Sequence, residues 1–234
     1  MGAKVSFDKQ YYKMAIFAYF LSPLFFINIV HMSTDRKTSI LPTSNWFDSD
    51  EQFDGLYPAS STSLLKRHWT PLQVASKAAQ FLAAEKNVSI LDIGSGVGKF
   101  CIAAAHFMPE AFYTGIEQRG NLVEQANEAK NTLGCKQVDF IHGNFTKINF
   151  KKFDHFYFFN SFYENFSFTE NMDNEIVYSK ELYDQYTYLM RMQLGQKPSG
   201  TRLTTFHSTE DEIPDDFLVV GTEMDNTLKF WMKI

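Results

Sequence analysis

The sequence predicts an α/β protein with a doubly wound, mostly parallel β-sheet. Three observations predict this class: a strand–glycine turn–helix pattern over residues 88–107, apolar runs that alternate with helical segments as far as residue 207, and a hairpin pattern over residues 217–233. Strands separated by helices pair in parallel, whereas hairpin strands pair antiparallel. We therefore expect one sizeable domain with an antiparallel C-terminal hairpin strand, and the 234 residues leave room for a modest extension.

The predicted strands are short apolar runs bounded by turn residues. Five of them alternate with helices and span residues 88–91, 111–116, 137–142, 154–159 and 201–207. The two hairpin strands span residues 217–223 and 227–233 and flank the turn residues Asp225 and Asn226. The fourth run is nearly all aromatic, so we expect its phenylalanines to lie in the core: Phe156, Phe158 and Phe159.

Capping residues mark the ends of the predicted helices, which span residues 70–84, 100–107, 121–133 and 175–194. Thr70 and Pro71 suit the N-cap and the first helical position of the first of these helices. Gly134 and Gly195 are expected to close the last two. Four tyrosines of the last helix cannot all share one face, so we expect some in the core and others exposed: Tyr178, Tyr183, Tyr186 and Tyr188.

The turn after the first strand contains three glycines behind an aspartate. In chain order these residues are Asp92, Gly94, Gly96 and Gly98. Closely spaced glycines let the backbone turn tightly and approach a ligand. A dinucleotide-binding turn would need glycine where Lys99 stands, and a phosphate-binding P-loop would need Ser or Thr where Phe100 stands. The spacing therefore indicates a nucleotide-binding turn of another kind.

Polar residues follow the next three predicted strands. Glu117 ends the second strand, nineteen residues beyond Gly98. Asn144 and Phe145 follow the third strand, and Asn160 follows the fourth. In open α/β sheets ligands bind at the carboxyl ends of the strands, so we expect these residues around one site. A carboxylate there can accept hydrogen bonds from both hydroxyls of a ribose, and the nearby glycine turn favours this role over that of a solvated turn residue.

The spacing Asp-x-Gly-x-Gly-x-Gly over residues 92–98 resembles the first motif of class I S-adenosylmethionine-dependent methyltransferases. The resemblance covers about residues 68–234 and implies a Rossmann-like sheet of seven strands. It implies S-adenosylmethionine as the cofactor, with S-adenosylhomocysteine as the product. The cofactor-binding residues that it implies are Asp92, Gly94, Ser95, Gly96, Gly98, Glu117, Gln118, Asn144, Phe145 and Asn160.

The same resemblance implies a role for several of these residues. Asp92 is expected to stabilise the loop and the cofactor, and the glycines are expected to let the chain pass close to the methionine moiety. Glu117 is expected to hold the ribose. Asn144 is expected to bind the adenine amino group, with Phe145 packed on the ring. An ordinary Gly-Asn turn is the alternative for the last two residues.

The segment Asn160-Ser161-Phe162-Tyr163 loosely resembles the Asn-Pro-Pro-aromatic motif of amine methyltransferases, although both prolines are absent. Asn160-Ser161-Phe162 is also similar to an Asn-x-Phe stretch of some non-SET lysine methyltransferases. The resemblance implies Asn160 and Tyr163 as candidate catalytic residues on the acceptor side. An Asn carbonyl there would orient a neutral amine for in-line attack, while aromatic walls exclude water and favour the cationic sulfonium.

Composition excludes several classes of function. The net charge of −5 and the scattered basic residues argue against a nucleic acid partner. Cys101 and Cys135 are too few for a disulfide framework and suit a reducing compartment, so a cytoplasmic protein is expected. The six histidines are dispersed and predict no metal site.

The amino terminus contains an uncharged apolar stretch over residues 14–30. Three interpretations of residues 1–31 stay open: an over-extended gene start upstream of Met32 or a disordered tail, a short membrane anchor, and a docked amphipathic helix. A membrane partner is expected only through this stretch. Residues 32–67 are expected to form a linker or cap, and residues 68–234 the methyltransferase domain.

The sequence thus predicts an S-adenosylmethionine-dependent methyltransferase acting on an amine or on a Lys or Arg side chain of a protein. An acidic loop after the fourth strand favours a cationic acceptor, such as a basic protein or a small amine; its acidic residues are Glu164, Glu170, Asp173 and Glu175. The segment His68-Trp69-Thr70 is expected to cover the cofactor or to anchor the helix that follows. A non-catalytic binding or scaffold protein of the same fold, and an NAD-dependent oxidoreductase with unsuitable glycine spacing, are the alternatives.

Overall fold

The computed structural model describes residues 45–58, 68–162, 165 and 177–234. Seven strands of these residues form one sheet: β1 (Ser89–Ile93), β2 (Phe112–Glu117), β3 (Val138–His142), β4 (His155–Phe158), β5 (Arg202–Phe206), β6 (Phe217–Glu223) and β7 (Leu228–Lys233). Their order across the sheet is β3-β2-β1-β4-β5-β7-β6. Strands β1 to β5 pair in parallel, and β7 lies antiparallel between β5 and β6. The predicted fold class is confirmed.

Five α-helices accompany the sheet in the described part of the chain: α1 (Asp50–Asp54), α2 (Leu72–Leu82), α3 (Lys99–Phe107), α4 (Gly120–Leu133) and α5 (Lys180–Gly195). Two 3₁₀ turns, Phe145–Lys147 and Phe150–Lys152, lie between β3 and β4. One face of the sheet packs against α1, α2, α3 and residues of α4. The other face packs against α5 and the 3₁₀ turns. Both faces of the sheet are therefore covered, as a doubly wound sheet requires.

Side chains alternate between these two cores along the central strands, because successive residues of a strand point to opposite faces. In β1, Ile90 belongs to the first core, whereas Leu91 and Ile93 belong to the second. In β4, Tyr157 belongs to the first core, and Phe156 and Phe158 to the second. This burial on both faces explains why the central strands are continuous apolar runs in the sequence.

Two predicted helix boundaries are wrong. Pro71, not Thr70, occupies the N-cap position of α2, and the Thr70 hydroxyl instead forms a 3.1 Å hydrogen bond with the Tyr157 hydroxyl. Gly195 is the last residue of α5 rather than its stop, because the chain stays right-handed through the C-cap residue Gln196. Gly134 closes α4 in a left-handed conformation with φ 67°, as predicted.

The tyrosines of α5 divide as expected. Tyr183 and Tyr186 are buried against the second core, whereas Tyr188 is 66% exposed. The helix begins after Ser179, whose side chain accepts a hydrogen bond from the Leu182 N–H. The predicted start at residue 175 lies outside the described residues.

The amino-terminal predictions fall largely outside the described residues, which include neither the apolar stretch 14–30 nor residues 59–67. Residues 45–58 are described and pack into the first core, where Phe53 and Tyr57 are buried. Within the described ranges, no helix is long and apolar enough to span a bilayer.

Candidate active site

A cleft opens at the carboxyl ends of β1, β2 and β4, with the segment His68–Thr70 as a further wall. The predicted site residues that line it are Asp92, Gly94, Ser95, Gly96, Glu117, Gln118, Phe145 and Asn160. Gly98 and Asn144 do not line this cleft. Tyr163 and the acidic residues predicted to border the acceptor pocket lie outside the described residues.

The glycine turn is held tightly against its surroundings. The N–H groups of Gly94 and Ser95 donate to the Ile116 carbonyl at 2.9 and 3.0 Å. Gly94 has φ 78°, and a Cβ there would lie 2.3 Å from the Ser161 Oγ. A side chain at position 94 is therefore excluded by both backbone conformation and space.

Gly98 has a different role from the predicted one. It is the N-cap of α3, has φ 78°, and a Cβ there would lie 2.2 Å from the Phe140 ring. The residue therefore lets α3 pack closely against β3, and it contributes no surface to the cleft.

Glu117 lies at the end of β2 with its side chain buried in the cleft. Its Oε2 accepts a 3.1 Å hydrogen bond from the Gly96 N–H, and its Oε1 accepts a 3.0 Å bond from the Arg119 N–H. The carboxylate is thus fixed between the glycine turn and the start of α4. Charge-assisted hydrogen bonds of this kind hold a group in one position.

Arg119 is a site residue that the sequence analysis missed. Its side chain is buried, lines the cleft, and lies 3.6 Å from the Glu117 Oε1. It also donates a 2.6 Å hydrogen bond to the Tyr178 hydroxyl, just before α5. This contact links the acid at the end of β2 to the chain entering α5. Nothing in the local sequence signals the link, because it joins residues 59 positions apart.

Asp92 is buried at the carboxyl end of β1 and lines the cleft. Burial raises its pKa from 3.8 to about 8, the Cys101 thiol opposes this shift by donating to Oδ2 at 3.6 Å, and the nearby Glu117 charge adds to it. The predicted support of the loop comes instead from the Ile116 carbonyl and Glu117. A cation bound nearby would favour the ionised form of Asp92.

Asn144 is engaged outside the cleft. It caps the 3₁₀ turn after β3 by accepting a 3.0 Å bond from the Thr146 N–H. Its Nδ2 donates to the Gln118 Oε1 at 2.8 Å and to the Tyr186 hydroxyl at 2.7 Å. Of these partners, Gln118 lines the cleft, so Asn144 contacts a cleft residue without lining the cleft itself. The neighbouring residues Gly143 and Phe145 line the cleft themselves.

Asn160 follows β4 in a left-handed conformation with φ 44°. Its Oδ1 is buried and has no hydrogen-bond partner among the described residues. The next residue, Ser161, donates from its hydroxyl to the Ile93 carbonyl at 2.6 Å, which fixes this loop against the glycine turn. A strained conformation and an unpaired buried oxygen at one residue are typical of a ligand-binding position.

Two further polar atoms of cleft residues are buried without a described partner, the Ser95 Oγ and the Trp69 Nε1. Unpaired buried donors and acceptors are uncommon in folded proteins, and a bound polar ligand satisfies them. Together with the Asn160 oxygen they fit a ligand rich in amino, hydroxyl and carboxylate groups.

Aromatic side chains form the outer wall of the cleft. Trp69 is buried and packs on Tyr57 with ring centroids 4.8 Å apart, so it anchors the start of α2 as well as covering the cleft. Tyr157 stacks on Phe100 at 3.7 Å. Phe159 is half-buried and packs against the first core, in line with its prediction as a core residue, and it also lines the cleft.

A family model described as a methyltransferase domain matches residues 84–232, which is more than half of the chain. The chain belongs to the class I S-adenosylmethionine-dependent methyltransferase family. S-adenosylmethionine is the cofactor of this family, and the orphaned polar atoms beside the glycine turn fit its amino acid and ribose groups. The predicted recognition, fold class and cofactor are confirmed at the level of the family.

This methyltransferase is 43% identical over 54 residues to a tRNA (guanine-N(7)-)-methyltransferase of Synechococcus sp. (strain JA-3-3Ab), a stretch that covers 23% of each protein. The chain thus aligns with about a quarter of the length of that curated relative.

Among solved structures, the methyltransferase is similar to TrmN from Thermus thermophilus, with 16% identity, a TM-score of 0.50, and coverage of 74% of this chain and 53% of that chain. It is also similar to MtNAS in complex with MTA and tNA, with 15% identity, a TM-score of 0.50, and coverage of 81% and 67%. At these identities the likeness shows the fold alone.

Proposed function

We propose that the chain transfers a methyl group from S-adenosylmethionine to an amine nitrogen, of a small amine or of a Lys or Arg side chain in a protein. The observation that carries this acceptor class is the Oδ1 of Asn160 beside the glycine turn, which has no hydrogen-bond partner among the described residues. An amide oxygen accepts an N–H of a neutral amine and leaves the nitrogen lone pair for attack. Such positioning is the main demand of an in-line displacement.

The cofactor would occupy the cleft along the glycine turn. We assign the ribose to Glu117 and Gln118, the adenine ring to Phe145, and the methionine moiety to Asp92 and residues 94–96. Gly98 and Asn144 support this arrangement from outside the cleft, through α3 and Gln118. These assignments rest on which side chains line the cleft and on their hydrogen bonds.

The chemistry that the cofactor supplies is an electrophilic methyl group on a sulfonium. Trp69, Tyr157 and Phe159 place aromatic faces around the cleft, and such faces favour a cation and exclude water. The proposal covers residues 68–234 as the methyltransferase domain, with residues 45–58 packed into its core, and a cytoplasmic location.

Methyl transfer to a tRNA base is the second candidate. The curated relative of Synechococcus is a tRNA (guanine-N(7)-)-methyltransferase, and the similarity of 54 residues favours an RNA acceptor. The net charge of −5 opposes it, because RNA-binding surfaces gain most of their affinity from basic residues. The third candidate is a non-catalytic binding or scaffold protein of the same fold.

The deciding experiment is methyl transfer from labelled S-adenosylmethionine by the full chain, with poly-L-lysine, n-butylamine, a basic protein and bulk tRNA as acceptors. We expect transfer to the amine probes. The Asn160→Ala variant should lose about 100-fold in turnover because the acceptor nitrogen is no longer positioned. Its affinity for the cofactor, measured by calorimetric titration, separates this loss from a loss of binding.

The exposed residue Asn87 offers a matched control, since it also has a left-handed conformation with φ 62° and lies before β1, at the edge of the sheet opposite to the cleft, where Asn87→Ala makes the same change. Transfer to tRNA but not to the amines would establish the second candidate. Cofactor binding without transfer to any acceptor would support the non-catalytic role.

A further inference from the structure

Strands β4 and β5 deliver adjacent residues to the carboxyl edge of the sheet. They pair in parallel, with Tyr157 opposite Thr204 and Phe158 opposite Thr205. Continuing this register by two residues brings Asn160 opposite His207. Residues opposite each other on neighbouring strands lie about 5 Å apart at the backbone. His207 is therefore the next residue along this edge from the proposed acceptor-binding amide.

A ring contact ties His207 to the cleft. Phe159, which lines the cleft, packs on Phe206 with ring centroids 4.7 Å apart and on His207 at 5.9 Å. The His207 side chain is exposed to solvent. The imidazole is thus in contact with a residue of the cleft wall, although His207 is not itself one of the lining residues.

The backbone of His207 is strained in the same way as that of Asn160. It has φ 52°, and its N–H donates to the Thr227 carbonyl at 2.9 Å. A non-glycine residue rarely adopts this conformation, and such outliers cluster at functional sites. Asn160 and His207 thus follow two adjacent strands, β4 and β5, in the same backbone conformation.

Amine acceptors need a base. A lysine side chain has an ordinary pKa of about 10.4 and is protonated at neutral pH, so it has no lone pair for attack. Asn160 can accept an N–H but cannot remove a proton. Glu117 is already held by the backbone N–H groups of Gly96 and Arg119, and Asp92 is assigned to the methionine moiety of the cofactor. A neutral histidine side chain can accept the proton that the acceptor ammonium must lose.

Resting on the proposed function, we propose that His207 is the general base that deprotonates the acceptor ammonium. The neutral imidazole takes one proton from R–NH₃⁺ and leaves R–NH₂ on the Asn160 oxygen. The nitrogen lone pair then forms a bond to the methyl carbon as the carbon–sulfur bond breaks, and that electron pair stays on sulfur. The products are R–NH₂⁺–CH₃, S-adenosylhomocysteine and an imidazolium that releases its proton to water.

Charged groups lie on the described segments next to His207, among them Asp225 in the turn whose Thr227 carbonyl accepts the His207 N–H. Glu210 and Glu212 lie in the loop after β5, and Lys229 lies on β7 and is paired with Glu210. Glu212 is buried and receives hydrogen bonds from Ser208 and Thr209, which fixes the loop directly after His207. On the β4 side, the described neighbours of His207 are uncharged.

The test compares the full wild-type chain with His207→Asn and His207→Gly, two residues that tolerate the left-handed backbone. Asn87→Gly is the matched control, because Asn87 is exposed, has a left-handed φ of 62° and lies before β1, at the opposite edge of the sheet. Turnover with labelled S-adenosylmethionine and poly-L-lysine is measured from about pH 7 to about pH 10, around the lysine pKa. Calorimetric titration reports cofactor affinity for each protein.

We expect both His207 variants to bind the cofactor like the wild type and to lose about 100-fold in turnover at neutral pH. The loss should shrink as pH approaches the acceptor pKa, and added imidazole should rescue His207→Gly. A merely structural role would produce neither the pH dependence nor the rescue.

If His207→Asn turns over at the wild-type rate at neutral pH, His207 is not the general base, and the proposed amine function is unaffected. If the wild type binds the cofactor but methylates neither poly-L-lysine nor n-butylamine at any pH, the proposed amine function is wrong. The proposed role of His207 as general base is then wrong as well.

Discussion

At the scale of single residues, two buried carboxyl groups of the cleft differ in their partners. Glu117 accepts two backbone hydrogen bonds and lies beside Arg119, so its charge is compensated. Asp92 has only the weak Cys101 thiol donor among its described partners, and burial raises its pKa to about 8. The burial of Asp92 therefore lowers the stability of the folded protein at the cleft.

Replacing Asp92 by Asn should stabilise the protein in a pH-dependent way. The folded pKa of about 8 lies above the ordinary 3.8, so between these values the folded chain holds a proton that the unfolded chain has lost. Wild-type stability must then fall as pH rises from about 4 to about 8, whereas Asn does not titrate. The advantage of Asp92→Asn should grow through this window, with about 6 kcal/mol as the upper limit from the full shift.

Urea unfolding of both proteins at the two ends of the window measures this difference. The exposed Asp225→Asn variant is the control and should follow the wild type at every pH. An advantage of Asp92→Asn that stays constant from pH 4 to 8 would show that the carboxyl does not titrate as stated.

At the scale of elements, helix α1 is attached to the glycine turn through one buried lysine. Lys99, the first residue of α3, donates to Asp50 Oδ1 at 2.6 Å and to Asp54 Oδ1 at 2.7 Å. The Asp50 Oδ1 also accepts the N–H of Leu72, which begins α2. A single cation therefore joins three helices beside the cleft. A helix of five residues has little stability of its own, so these contacts decide its position.

The variant Lys99→Met should lower the free energy of unfolding by about 1–3 kcal/mol. This is less than the 3–5 kcal/mol typical of breaking a buried pair, because Asp50 stays 46% exposed and can recover water. Hydrogen exchange should accelerate specifically in residues 45–58. The matched control is Lys86→Met, whose exposed pair with Glu110 should contribute less than about 1 kcal/mol. Equal effects of the two variants would contradict the role given to Lys99.

At the scale of the whole molecule, the cleft combines the family's core with a segment that precedes it. The family model begins at residue 84, whereas His68, Trp69 and Thr70 line the cleft and α1 packs beside it. Cofactor binding should therefore stabilise both parts together. Ligands that bind only the folded state raise its stability by about 2.7 kcal/mol at a hundredfold excess over Kd.

Thermal unfolding with S-adenosylhomocysteine should show this coupling. The expected gain corresponds to a rise in Tm of about 5–10 °C for a chain of this size. NAD at the same concentration should produce no shift, because the glycine spacing does not suit a dinucleotide. Glu117→Gln should reduce the shift, and Glu110→Gln, a surface change, should leave it unaltered. A shift with NAD alone would favour the oxidoreductase alternative.

Features that depend on neighbours along the chain could be predicted from the sequence. Apolar runs predict the central strands such as β1 and β4, because a strand buried on both faces must be apolar throughout, and the turn at Asp225 and Asn226 predicts the hairpin of β6 and β7. The glycine spacing predicts the turn at residues 94–96, since Gly94 and Gly96 adopt left-handed conformations that favour glycine. Glu117 was found by its distance from that turn, and Asn160 by its place after β4.

Features that depend on contacts between distant segments were decided only by the tertiary structure. Gly98 packs against Phe140, and the Asn144 side chain is hydrogen-bonded to Gln118 and Tyr186. Neither residue lines the cleft, although the sequence predicts both as cofactor-binding residues. The pairing of Lys99 with α1 and the unpaired oxygen of Asn160 also appear only in three dimensions. The sequence by itself determined the fold, the family and the position of the glycine turn, because these follow from local periodicity and backbone preference. The tertiary structure decided which side chains line the cleft, because hydrogen bonding and burial are set by residues far apart in the chain.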